Sequence, residues 1–141
     1  PGYAPLLNDE NMMLLAKDAA EIALSGQEFS YSHDIGTGST DMGDLSGIMP
    51  VVHPYATGAK GTSHGNDYYI EDANLACVEN AKWQVCMLKL LLENKAERAK
   101  KIIKEFEPRF SSKEEYLSYI DSLNRSGDRI VYSENEAKVI L

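Results

Sequence analysis

The chain has 141 residues and a mass of 15.6 kDa, which is enough for one domain with its own core and excludes two large domains. Lys and Arg number 14 whereas Asp and Glu number 22, so the formal net charge is -8. Such a chain is repelled by the phosphates of nucleic acids and by anionic lipid surfaces. We therefore expect neither nucleic acid nor a membrane as its partner.

Two sequence features bear on the compartment. The longest nearly apolar run, residues 85–92, contains Lys89 and is far shorter than the roughly 20 residues that cross a bilayer. Cys77 and Cys86 lie on a predicted helix, roughly 13 Å apart and on opposite faces, which is too far for a disulfide. We therefore predict two reduced thiols, each in the core or half-buried, and a cytoplasmic protein.

The first part of the chain contains one clear helix and two short strand-like segments. Residues 10–24 carry apolar side chains at helical spacing and predict an amphipathic helix. Residues 28–32 alternate polar and aromatic side chains and predict a strand. Residues 48–52 predict another strand, which Pro50 restricts to a sheet edge or a bulge. Between the two strands, residues 33–47 are rich in glycine, serine and aspartate, and we expect a long loop there.

The next part is a second loop followed by helix. Residues 54–67 form another glycine-rich stretch and are predicted to be a loop. A long apolar face at helical spacing then runs from about Ile70 to about Glu93 and predicts a helix. Near Asn94 the helix either continues or restarts as a second helix, and Pro108 stops it.

The end of the chain predicts one more helix and a hairpin. The motif from Ser112 to Glu115 matches a capping box, so a helix begins there, and Gly127 ends it. Residues 129–133 and 137–140 are β-prone and predict a β-hairpin. The order of elements as a whole predicts a mixed α/β fold.

The first polar loop ends in a group of residues suited to contact a ligand. Glycine allows close approach to the backbone, and hydroxyl and carboxyl groups supply hydrogen bonds, a combination present in Gly38, Ser39, Thr40 and Asp41. A connector held by turns of its Asp and Ser side chains is an equally good interpretation. A phosphate-binding loop would need a following lysine and a helix start, and the sequence indicates neither.

The second polar loop carries His64 on a glycine-flanked segment just before the long helix. Such an imidazole can reach a metal or a substrate, and histidine is a frequent zinc ligand. A surface or hydrogen-bonded histidine is the plainer interpretation, and 3 His and 2 distant Cys allow no closed zinc site. For the other two we expect that His53 hydrogen-bonds to a neighbour and that His33 begins a loop.

Three segments carry a resemblance to a known family. They are residues 1–6 (Pro-Gly-Tyr-Ala-Pro-Leu), 38–44 (Gly-Ser-Thr-Asp-Met-Gly-Asp) and 63–69 (Ser-His-Gly-Asn-Asp-Tyr-Tyr). In order and spacing they resemble the region after the lid domain in dinuclear metal-dependent amidohydrolases and metallopeptidases of the carboxypeptidase G, aminoacylase and aminobenzoyl-glutamate hydrolase type. The resemblance covers residues 1–93. Residues 94–141 are more loosely similar to the C-terminal extension of the aminobenzoyl-glutamate subgroup.

The resemblance implies a fold and a chemistry. The chain would be the C-terminal portion of a three-layer α/β/α zinc-exopeptidase-like catalytic domain that lacks its lid, with residues 94–141 as a helical extension ending in a β-hairpin. In such enzymes two divalent ions, usually zinc and alternatively manganese or cobalt, activate a bridging water and polarise the scissile amide. His64 would be a metal ligand. The residues that would contact the substrate or support the ligands are Gly38, Ser39, Thr40 and Asp41.

The family's other metal ligands and its general-base glutamate precede the lid, and this chain contains none of them. We therefore expect a C-terminal fragment without catalytic residues of its own, whose partner is the missing N-terminal half of the catalytic domain. The intact enzyme would hydrolyse the amide bond of a small N-acyl amino acid or aminobenzoyl-glutamate-like substrate. Unpaired strand edges would favour a homodimer. The alternative is a small acidic, non-catalytic binding or interaction module.

Overall fold

A computed structural model describes residues 4–24, 26, 29–30, 32, 40–124 and 130–139. In chain order the helices are α1 (Glu10–Ala23), α2 (Asp41–Ser46), a π-helical segment (Asn74–Glu79), α3 (Asn80–Glu105) and α4 (Lys113–Leu123). The strands form two antiparallel pairs, β1 (Ala59–Lys60) with β2 (Tyr69–Ile70) and β3 (Ile130–Tyr132) with β4 (Ala137–Val139).

The helix predicted for residues 10–24 is confirmed as α1. The side chain of Asp9 accepts a hydrogen bond from Met12 N at 2.9 Å, which satisfies one of the free amides at the start of the helix. The solvent face carries the exposed Ile22 and an ion pair between Lys17 and Glu21 at 3.2 Å. The opposite face is buried and consists of Met13, Leu15, Ala16, Ala19 and Ala20.

The long helix after Ile70 is confirmed, and of the two possibilities near Asn94 the structure shows the restart. The helix begins in the π-helical segment and continues as α3 from Asn80. Non-helical backbone interrupts α3 at residues 93–96, where Asn94, Lys95 and Ala96 have φ angles of 51°, 61° and 59°. This left-handed stretch redirects the chain.

Both parts of α3 contact α1. In the first part the buried Trp83 donates a hydrogen bond from Nε1 to the Ala16 carbonyl at 2.7 Å. In the second part Arg98 forms an ion pair with Asp18 at 2.7 Å. Small side chains on α1 let the helices approach, and the indole fills the space between them. The core cluster consists of Ala16, Ala19, Ala20 and Trp83, with Leu24, Val52, Cys86, Met87 and Leu90 packed against it.

The strand predicted for residues 48–52 is wrong. The Ile48 and Met49 amides both donate to the Leu45 carbonyl at 3.0 Å, so this segment begins as a turn after α2. Pro50 has no amide to give to a sheet, and the Val51 carbonyl accepts from Asp9 N at 2.8 Å. The segment is therefore a turn followed by residues that the Asp9 amide holds beside the start of α1.

The other two predictions for this region fall partly outside the described residues. Of the strand predicted for residues 28–32, the described residues Phe29, Ser30 and Ser32 are not in a strand, and residues 28 and 31 lie outside. Of the loop predicted for residues 33–47, residues 33–39 lie outside. The rest of that loop prediction is wrong because residues 41–46 form α2, which Thr40 caps.

The capping box is confirmed at the start of α4. Ser112 Oγ accepts a hydrogen bond from Glu115 N at 3.1 Å. The Glu115 carboxylate accepts from Ser111 Oγ at 2.5 Å and from Ser111 N at 2.7 Å, one residue earlier than in the ideal box. These two bonds, first that of the hydroxyl and then that of the amide, lower the pKa of Glu115. α4 ends at Leu123, and Gly127 lies outside the described residues.

The predicted mixture of helices and strands is confirmed in its coarse form. Within the described ranges the sheets are two small antiparallel pairs, of which β3 and β4 are the hairpin predicted near the end of the chain. Cys77 and Cys86 are free thiols, as predicted. Cys86 is half-buried, as expected, whereas the burial expected for Cys77 is wrong because its side chain lies on the exposed face of the π-helical segment. The described helices include none that is both long and apolar enough to cross a membrane.

Trp83→Phe should lower the free energy of unfolding by about 2 kcal/mol, because it removes the hydrogen bond to Ala16 and leaves a cavity between α1 and α3. Chemical denaturation followed by far-UV circular dichroism measures the change. Tyr132→Phe is the control, since Tyr132 is 75% exposed, and it should change the free energy by less than about 0.5 kcal/mol. Equal stabilities of the two variants would contradict a central role for Trp83.

Candidate functional site

His64 lies at the tip of a β-hairpin that the sequence did not predict. Ala59 pairs with Ile70 and Lys60 with Tyr69, so that residues 61–68 form the connection between β1 and β2. An ion pair between Lys60 Nζ and Glu71 Oε1 at 2.6 Å joins the two sides of the hairpin. The loop predicted for residues 54–67 is therefore wrong at its centre. Two-residue strands around a long connection give no alternating pattern that would have revealed them.

The connection is ordered by its own hydrogen bonds. Both carboxylate oxygens of Asp67 accept from Thr62 N at 3.2 Å, and Oδ2 also accepts from Thr62 Oγ1 at 3.3 Å. Gly65 N donates to the Thr62 carbonyl at 2.7 Å. Asp67 is thus a structural residue of the site that we did not single out from the sequence. The bond runs from Thr62 to a side chain five residues later, and no local turn pattern in the sequence signals it.

Two glycines make the tight backbone of the hairpin possible. Gly61 has a φ angle of 98°, and a side chain there would collide with the Asp67 carbonyl. Gly58 has a φ angle of 105°, and its carbonyl accepts from Glu71 N at 2.9 Å and from Asp72 N at 3.0 Å. The base of the hairpin is thereby fixed to the residues that begin the long helix.

His64 itself is exposed and adopts a φ angle of 62°, in the left-handed region where histidine occurs more readily than branched residues. Its imidazole makes no hydrogen bond or ion pair with any described residue. The hairpin therefore presents an uncommitted imidazole on a backbone that is held in place from both sides.

Thr40 and Asp41 lie at the start of α2, whereas Gly38 and Ser39 lie outside the described residues. Thr40 Oγ1 accepts from Met42 N at 3.5 Å and donates to Asp41 Oδ1 at 3.0 Å. The helix start that we did not expect in this loop is thus present, although no lysine follows it. The Thr40 hydroxyl is occupied by capping, and the Asp41 side chain is exposed.

α2 is docked on the first described residues of the chain. Ala4 N donates to Asp44 Oδ1 at 2.8 Å, and Leu7 N donates to Ser46 Oγ at 3.3 Å. Gly43 is buried against the Ala4 carbonyl, so closely that a β-carbon would collide with it. Two of the three segments that carry the resemblance are therefore in direct contact.

The far end of α2 contacts the residues around α4. Phe110 N donates to the Gly47 carbonyl at 3.1 Å, and the Phe110 ring lies against Gly47. Burial, followed by the hydrogen bond and the negative charge of Asp44, raises the pKa of Tyr116. Part of the predicted extension, residues 94–141, is therefore packed on the segment that contains Thr40 and Asp41.

The described residues supply His64 as one potential metal ligand and no complete set. Among them there is no group of three or more His, Cys, Asp or Glu side chains arranged to hold a metal ion. No hydrogen bond or ion pair between described residues joins the hairpin to Thr40 or Asp41. The hairpin tip therefore offers at most one ligand to a metal ion, because Asp67, the nearest carboxylate in sequence, is bonded to Thr62.

A cleft of about 520 Å³ lies between α1, the start of α3 and residues 52–57. Its wall is mostly apolar and includes the aromatic side chains Phe29, Tyr55 and Trp83. His53 also lines it. Its peptide N donates to Asn8 Oδ1 at 2.9 Å, and its ring meets that of Tyr55 edge-on, with the centroids 5.3 Å apart. The expected hydrogen bond is made by the His53 backbone, whereas ring Nδ1 is buried without a partner among the described residues.

Comparison of the chain with models of protein families, with curated proteins and with solved structures gives no significant match.

Asp67→Ala should loosen the hairpin, because Thr62 N then loses its charged acceptor. We expect amide hydrogen exchange at Thr62 to accelerate by about tenfold or more, with little change in global stability since the site is exposed. Exchange measured by nuclear magnetic resonance tests this. Asn66→Ala, at an exposed neighbour, is the control and should leave the rate unchanged. Equal exchange rates in the two variants would show that Asp67 does not order the connection.

Proposed function

We propose that the chain is the C-terminal portion of a dinuclear metal-dependent amidohydrolase of the carboxypeptidase G, aminoacylase and aminobenzoyl-glutamate hydrolase type, and that His64 is one of its metal ligands. The single observation that carries the proposal is the presentation of His64. Its imidazole is exposed and has no hydrogen bond to any described residue, on a hairpin whose backbone is fixed. An imidazole that is free of other partners is available to a divalent ion.

The hairpin explains how one side chain could be held for such a role. A ligand on a mobile loop loses conformational freedom when it binds, whereas a prearranged ligand loses less. The bonds from Thr62 to Asp67 and from Glu71 and Asp72 to Gly58 restrict the loop on both sides of His64. In the proposal these residues position the ligand and do not touch the metal.

The segment before α2 is assigned to substrate contact or to support of the site, with Gly38, Ser39, Thr40 and Asp41 as its residues. The Thr40 hydroxyl caps α2 and donates a hydrogen bond to Asp41, which favours a role for Thr40 in holding the site rather than in contacting the substrate. Asp41 keeps one carboxylate oxygen free of hydrogen bonds to described residues. The anchoring of α2 by Ala4 and Leu7 would keep this segment in a fixed place.

The remaining ligands and the general base would come from the N-terminal half of a three-layer α/β/α catalytic domain. Two bound ions, zinc or alternatively manganese or cobalt, would supply an activated water and polarise the amide carbonyl of the substrate. The substrate would be an N-acyl amino acid or a compound like aminobenzoyl-glutamate. The free thiols Cys77 and Cys86 support a reducing, cytoplasmic compartment for the enzyme.

His64→Ala in the intact protein, in which this chain is joined to the catalytic N-terminal half, tests the proposal. Removing one ligand should lower kcat/KM for an N-acyl amino acid by more than about 100-fold. Metal content should fall from two ions per chain toward one. Thermal stability of the metal-free protein should hardly change, because the side chain is exposed and makes no bond that folding needs.

Ser63→Ala is the matched control, since it alters the adjacent exposed residue and should leave both turnover and metal content unchanged. Full turnover and two ions per chain in His64→Ala would contradict the proposal. An intact protein that neither retains metal nor hydrolyses any amide would instead favour the alternative, a small acidic binding module.

A further inference from the structure

The cleft beside α1 has the dimensions and the wall of a small-molecule site. Its volume of about 520 Å³ is within the range of roughly 300 to 1,000 Å³ that is usual for such sites. Apolar side chains dominate the wall, and none of His64, Thr40 and Asp41 contributes to it. The cleft thus shares none of these residues with the hairpin that carries His64.

The ring of His53 gives the cleft a directional polar group. Nδ1 is buried and has no partner among the described residues, and for backbone groups a buried N–H without an acceptor is rarer than a buried acceptor without a donor. The neutral ring is therefore expected to carry its hydrogen on Nε2. Nε2 makes no hydrogen bond with a described residue, so it is the nitrogen through which the ring can donate to a ligand.

Asn80 supplies a second donor at the same cleft. Its Oδ1 accepts a hydrogen bond from Gln84 Nε2 at 3.3 Å, which leaves the NH₂ group as the part of the side chain available to a ligand. Trp83 is not available, because its Nε1 already donates to the Ala16 carbonyl. His53 and Asn80 thus each offer the cleft a hydrogen-bond donor.

The charged side chains at the cleft are already paired. Glu79 lies 2.8 Å from Lys82 Nζ, and this contact, mainly through its hydrogen bond, lowers the pKa of Glu79. Lys17 pairs with Glu21 at 3.2 Å. The Glu79 carboxylate would repel an anionic ligand, and the neighbouring cations Lys17 and Lys82 are already in ion pairs. The wall therefore suits a neutral ligand.

We propose that this cleft binds a neutral small molecule with an aromatic or branched aliphatic body and a carbonyl oxygen, which accepts hydrogen bonds from His53 Nε2 and the Asn80 NH₂ group. The body lies against Phe29, Tyr55 and Trp83. The site is independent of the proposed metal chemistry, because no residue of the hairpin tip lines it.

The test uses two probes of nearly the same shape. 4-Fluoroacetophenone carries a C=O group, and 4-fluoro-α-methylstyrene carries a C=CH₂ group at the same position. Fluorine magnetic resonance gives the two dissociation constants. The chain has 1 Trp, so the single indole N–H resonance of Trp83 reports whether a probe occupies the cleft. We expect both probes to shift this resonance. The preference for the ketone is the dissociation constant of the alkene divided by that of the ketone, and we expect it to be at least about fivefold larger in the wild-type chain than in His53→Phe.

His64→Phe is the matched control, since it removes an imidazole elsewhere and should keep the wild-type preference. If His53→Phe does not fold, the ¹⁵N resonances of the His53 ring in the wild-type chain provide the same test, and they should move with the ketone and not with the alkene. An unmoved Trp83 resonance at the solubility limit of both probes, or an equal preference in wild type and His53→Phe, would overturn the proposal. None of these readouts depends on metal or on turnover. A negative result here would therefore overturn the cleft proposal and leave the proposed function unaffected.

Discussion

The contact between α1 and α3, centred on the hydrogen bond from Trp83 Nε1 to the Ala16 carbonyl, is the interaction on which the remaining arrangement depends. The indole is buried among the alanines of α1, where small side chains allow a large ring to enter. The left-handed break at residues 93–96 lets the second part of α3 return to the same helix, where Arg98 pairs with Asp18. A short chain thereby obtains a core from two segments that are distant in sequence.

The two candidate sites are attached to this core at neighbouring points. The residues that precede α1 hold the cleft wall, because Asn8 Oδ1 accepts from His53 N and Asp9 N donates to the Val51 carbonyl. The chain then continues from the cleft to Gly58, whose carbonyl fixes the base of the hairpin to the start of the long helix. One continuous stretch, residues 51–72, thus carries both His53 and His64. Backbone bonds hold this stretch at Val51, which accepts from Asp9, and at Gly58, which accepts from Glu71 and Asp72.

The local parts of this arrangement were predictable from the sequence, and the long-range parts were not. Helical spacing and caps located α1, and the capping motif located α4, because both signals act within a few residues. The strand predicted for residues 48–52 failed because a strand depends on a partner that no local pattern specifies, and here the available partner was the backbone of Asp9. His64 could be singled out by its glycine-rich surroundings. The cleft at His53 could not, since it is formed by four segments that meet only in the folded chain.

The central claim is that the hairpin holds His64 as a metal ligand. The most direct measurement is anomalous diffraction at the zinc edge from crystals of the intact, metal-loaded protein. We predict a zinc ion about 2.0–2.1 Å from a ring nitrogen of His64, with the hairpin bonds between Thr62 and Asp67 retained. Zinc bound elsewhere while the His64 imidazole remains in solvent would contradict the claim.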